Sequence, residues 1–102
     1  MRWLLPFLLL AAPALAQTAD PVEGGRLAAT WCANCHRISA GGPGPAADAV
    51  ASFPAIAARP NASAEGVATF IRLPHAGMPD HGLTARQAAD IAAFVMAQRP
   101  NR

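Results

Sequence analysis

The spacing of apolar positions changes several times along the chain, and each change marks an expected element. From Leu4 to Ala12 the side chains are apolar almost without break, Pro6 being the exception. Asp20-Pro21-Val22-Glu23 then supplies an N-cap residue, a proline at the first helical position and an acid at the third. That order resembles a capping box and predicts a helix from Pro21 towards Cys32 or Ala33. Gly24 and Gly25 weaken this helix unless something packs closely against them. Residues 39–62 lose periodicity and are dense in glycine and proline, which predicts an ordered loop with one or two short helical turns. Ser63 caps an expected helix from Ala64 to about Leu73, with Val67, Phe70 and Ile71 on one side and Pro74 at its end. A second loop runs from His75 to Leu83. Thr84-Ala85-Arg86-Gln87 forms another capping box and opens a final helix. Ala88, Ile91, Phe94 and Val95 give that helix an apolar face, and Pro100 stops it. No segment sustains strand alternation or repeats itself. The expected fold class is all-α, three main helices plus short helical turns and long loops.

Composition changes the picture at the N-terminus. Met1-Arg2-Trp3 is a short cationic start to the apolar run, and Ala14-Leu15-Ala16 supplies small residues for a cleavage site. Residues 1–16 are therefore expected to be a secretory signal peptide, with the mature domain at 17–102. The run is too short to span a bilayer and contains Pro6 and Pro13, which argues against a membrane anchor. Removing Arg2 leaves seven arginines against six acidic residues, a net charge of +1. Nothing there forms a strongly basic surface for nucleic acid or anionic membrane.

An 86-residue mature chain buries a marginal core and commonly needs a staple. The two cysteines lie three positions apart, so a disulfide between them closes almost no loop and stabilises little. A covalently held cofactor, wrapped by the long loops, is the better candidate. Cys32-Ala33-Asn34-Cys35-His36 is C-x-x-C-H, the haem-attachment signature. Residues three apart on a helical turn share a face, so both sulfurs can reach one porphyrin edge, and His36 follows directly to meet the iron. Three other readings compete: a thioredoxin-like dithiol, which needs a preceding strand; half a zinc site, which needs a second ligand pair; and two inert thiols. The export signal and the all-α pattern favour haem.

On these residues the chain resembles the class I cytochromes c, small soluble proteins of the bacterial periplasm. The resemblance spans the mature chain and extends to Gly25, the Gly-Pro-rich loop, Gly77-Met78-Pro79 and the closing stretch Asp90-Ile91-Ala92-Ala93-Phe94-Val95. It implies the cytochrome c fold around a single haem c, attached through Cys32 and Cys35, with His36 and Met78 as axial ligands. It also implies that the first and last helices cross with Gly25 against Phe94; Ala29 stands where many members carry a larger side chain. A backbone carbonyl of Pro45, or of its rival Pro43, is implied to accept the second ring N–H of His36. His75 and His81 flank Met78 and are alternatives to it as ligands, whereas Met96 lies on a helix among core residues.

Arg37, Arg59 and Arg72 are candidates for the haem propionates, because guanidinium matches carboxylate bidentately. Trp31 reads as packing beside the attachment turn, and Phe53, Ile56, Phe70 and Ile71 as core and pocket wall. The expected function is a periplasmic one-electron carrier, not an enzyme, working between redox protein partners. Alternatives are a dedicated haem subunit of a periplasmic dehydrogenase, or an open-site haem protein that binds a small gas or peroxide. Because net charge is so small, electron transfer to a partner is expected to slow only mildly with added salt. A steep fall in transfer rate as ionic strength rises would contradict this reading of the charge.

Overall fold

The structure, a computed structural model, describes residues 18–45, 49–73 and 77–101. The expected signal peptide, Pro74 and His75 lie outside the described residues. Among the described residues four helices follow in order: α1 Pro21–Trp31, α2 Phe53–Ala57, α3 Ala64–Ile71 and α4 Ala85–Ala97. No β-strand occurs among the described residues, so the all-α class holds. The short α2 is the helical turn expected inside the Gly-Pro-rich loop. The third expected helix ends at Ile71 rather than Leu73, with Arg72 as its cap.

The helix starts follow local chemistry, with one departure. Ser52 and Ser63 each accept a backbone N–H three residues on, opening α2 and α3. At α4 the box closes in both directions: Gln87 N–H donates to Thr84 Oγ1 at 3.1 Å, and Thr84 N–H to Gln87 Oε1 at 3.0 Å. At α1 only half of it forms. Asp20 accepts from Val22 N–H at 2.9 Å and Glu23 N–H at 3.3 Å. Glu23 does not complete the reciprocal bond: its carboxylate pairs with Arg26, which holds it below the usual carboxylate range. The Asp20 backbone N–H donates instead to Asp90 Oδ1 of α4, at 2.8 Å. Arg86 Nε donates to the same carboxylate at 3.1 Å and its guanidinium reaches the Thr18 carbonyl. Asp90 is only 4% exposed, and these donors satisfy it. A carboxylate one helix away thus joins the first turns of α1 and α4.

α1 packs most extensively on α4, which also touches α2 and α3. The crossing is close because two glycines permit it. The Gly25 face meets the Phe94 ring, where an added Cβ would lie 3.0 Å from ring carbons. This is the pairing that the resemblance implied. Gly24 makes the nearer approach, and a Cβ there would run into the Asp90 carbonyl. Ala28 and Ala92 are fully buried at the interface, while Ala29 faces solvent and does not bear on the crossing. Leu27, Ile38, Phe53, Ile91 and Val95 fill the core. Burial of each larger aliphatic contributes about 1.5–3 kcal/mol. α3 has no fully buried residue; Val67 and Ile71 are half-buried against the core cluster.

Gly24→Ala forces a methyl group into helix backbone, whereas Gly25→Ala only asks an aromatic ring to pivot. In urea titration of the mature protein, Gly24→Ala is expected to cost about 1–3 kcal/mol despite its gain in helix propensity. Gly25→Ala should cost less than half as much. Equal stability of wild type and Gly24→Ala would show that the helices do not approach this closely.

Candidate functional site

The last turn of α1, the short α2, the inner sides of α3 and α4 and the 77–83 loop enclose a cavity of about 350 Å³. Its walls are mainly apolar: Phe53, Ile56, Val67, Ile71, Leu83 and Ile91 among them. Arg59, Asn61 and Ser63 form a polar edge. Phe70 and Trp31 also line it, although they are 55% and 48% exposed, so they sit at its rim rather than in the core. Phe70 is thus wall, as expected, without being core.

The helical backbone continues past Trp31 into a tight turn that stacks the motif. Cys32 N–H donates to the Ala28 carbonyl at 2.8 Å, and Cys35 and His36 N–H both return to the Cys32 carbonyl, at 3.1 and 2.9 Å. Cys32 is buried and lines the cavity. Burial pushes its thiol up to about 11, because an apolar surrounding disfavours the thiolate. Cys35 lies exposed on the same turn, outside the cavity wall.

His36 lines the cavity with one ring nitrogen already engaged: Nδ1 lies 2.6 Å from the Ala51 carbonyl. A carbonyl can only accept, so Nδ1 carries the proton and Nε2 keeps its lone pair for a metal. The partner is Ala51, which corrects the expectation of Pro43 or Pro45. The Pro43 carbonyl takes the Ile38 N–H at 3.1 Å, and Pro45 is exposed. The cause is a backbone bond from Phe53 N–H to the Arg37 carbonyl, 2.9 Å, which lays residues 51–53 alongside the motif. A main-chain carbonyl of alanine leaves no mark in sequence, so nothing there singled it out.

Aromatic contacts tie this imidazole to the helix crossing. The Phe53 ring centroid lies 5.4 Å from that of His36 and 6.1 Å, edge-on, from that of Phe94. Phe94 in turn rests on Gly25. The position of His36 is therefore fixed from behind by the packing of α1 on α4.

Met78 and His81 both line the cavity from the 77–83 loop. His75 lies outside the described residues. Met96 packs at the margin of the core and not on the cavity, which agrees with its expected role. Of the three candidate propionate arginines, Arg59 alone lines the cavity; Arg72 caps α3 and is exposed, and Arg37 gives its carbonyl to Phe53.

The competing readings of the cysteine pair fare poorly. Among the described residues no three His, Cys, Asp or Glu side chains group to hold a metal ion, and no strand leads into the motif. The donor set fits haem c instead: two thiols and an imidazole on one turn, a soft thioether on a facing loop, and apolar walls between.

Comparison with known proteins agrees. Residues 19–95 match the family described as cytochrome C oxidase, cbb3-type, subunit III. The chain is 42% identical over 85 residues to cytochrome c-552 of Bradyrhizobium diazoefficiens, covering 83% of this chain and 81% of that protein. No solved structure matches it. No described helix is long and apolar enough to cross a membrane. With its attachment turn, its cavity and both matches in agreement, the chain belongs to the class I c-type cytochromes, haem c electron carriers that exchange electrons with redox partners.

Proposed function

We propose that Cys32 and Cys35 hold the haem through thioether bonds, that His36 and Met78 are its axial ligands, and that the protein is a periplasmic carrier rather than an enzyme. The observation that carries this reading is that His36, pinned at Nδ1 by Ala51, shares one cavity with Met78. Bound there, haem c supplies one-electron Fe(III)/Fe(II) exchange.

The chain's own residues set the terms of that exchange. His36 presents a single nitrogen in a fixed tautomer, and the Ala51 carbonyl makes it a stronger ligand. Met78 offers a soft sulfur, which favours the ferrous state and raises the potential. If His36 and Met78 both hold the haem, no ligand position would be left for substrate, and single-electron transfer is the chemistry the group would supply. Trp31 and Phe70 exclude water along the rim. Residues 1–16 direct export and are removed after Ala16, which puts the domain where covalent haem attachment takes place.

A second reading, a dedicated haem subunit of a larger redox complex, is favoured by the family match, since that family's description names an oxidase subunit. Gel filtration of a periplasmic extract separates the two: a carrier elutes near its own mass, a subunit with its complex.

Two measurements test the site. Ferric wild type should show the weak far-red sulfur-to-iron charge-transfer band, and Met78→Ala should abolish it; a wild type without the band refutes Met78 ligation. Arg59→Gln should lower the reduction potential modestly, because a cation at the cavity edge disfavours the extra charge of ferric iron. An unchanged or higher potential would remove Arg59 from the propionate edge.

A further inference from the structure

The loop that carries Met78 makes a contact that the ligand reading does not use. Gly77 and Gly82 both adopt positive φ, +80° and +62°, so the chain bends sharply at each end of Met78-Pro79-Asp80-His81. Gly82 N–H donates to Asp80 Oδ1 at 2.8 Å, a local bond that closes the second bend without reaching the rest of the molecule. His81, by contrast, crosses to another element. Its ring centroid lies 5.6 Å from that of Trp31, with the planes tilted by 41°. Trp31 is the last residue of α1 and directly precedes Cys32. Both rings line the cavity.

We propose that Trp31 and His81 form a latch that holds the Met78 loop against the attachment turn and so keeps the methionine seated over the iron. This rests on Met78 being the ligand and assigns two positioning residues to it. The covalent side of the site is rigid, because Cys32 and His36 belong to a hydrogen-bonded turn at the end of α1. The loop is the side that opens. A contact between its His81 and the residue next to Cys32 closes the ring of structure around the iron without coordinating it. Trp31 is half-exposed, so its loss removes little from the core, yet it frees the loop.

The test is the rate at which imidazole displaces methionine from the ferric holoprotein, followed by loss of the far-red band. Such displacement waits on loop opening. Removing one member of an aromatic pair should favour opening about threefold to tenfold. Trp31→Leu, which keeps apolar cover and loses the ring face, and His81→Ala should each speed displacement by that factor. The double variant should be no faster than either single, and Trp31→Phe should stay within about twofold of wild type. Rates that do not change, or a double variant whose acceleration is the product of the singles, would overturn the latch while leaving the ligand intact. A wild type with no far-red band would overturn the ligand reading and the latch together. Urea midpoints of the same variants separate a loosened loop from a loosened fold: a rate gain that merely tracks global stability counts against the latch.

Discussion

The contact between α1 and α4 is made at backbone distance, and what lies behind the haem site follows from it. Gly24 lets the α1 main chain settle on the Asp90 carbonyl, which brings Gly25 down on the Phe94 ring. Phe94 then supports Phe53, and Phe53 supports His36. Moving the helices apart by one methyl group would disturb a chain of four rings and backbones that ends at the imidazole. In a core this small there is little else to absorb the shift.

Asp90 serves the same junction electrostatically. Its side chain satisfies the N-cap backbone of α1 and meets Arg86 one turn before it. Its carbonyl meanwhile forms the surface against which Gly24 packs. One residue therefore sets both the register of the two helices and their separation. A buried carboxylate with that many donors is a fastening specific to one arrangement, since any slip of α1 along α4 leaves it without its amide partner.

Much of this was legible in the sequence, and the parts that were not share a cause. Side chains with a local grammar announced themselves: Cys32-Ala33-Asn34-Cys35-His36, the Thr84–Gln87 box, Ser63 before α3, and the Gly25–Phe94 pair through family resemblance. What escaped were long-range partnerships of the main chain. The Ala51 carbonyl on His36, the Asp90 carboxylate on the Asp20 amide and the Gly24 contact all join residues 15 to 70 positions apart. Each uses at least one backbone group, and backbone groups are the same at every position. Local cues from proline and glutamate therefore misled twice, once at Pro43 and Pro45 and once at Glu23, where a nearer partner in sequence lost to one brought close by folding.

α3 differs in kind from the other helices. Eight residues are too few to persist in water on propensity alone, and none of them is fully buried. Its inner side, Val67 and Ile71, rests on the core margin and is at the same time cavity wall, while Glu65 and Thr69 on the outer side face solvent. Its local stability is thus borrowed from whatever fills the cavity, in contrast to α1 and α4, which hold each other. The expected consequence is a graded molecule: amide hydrogens of α1 and α4 should exchange most slowly, through the largest openings, and those of α3 through a local opening of lower cost.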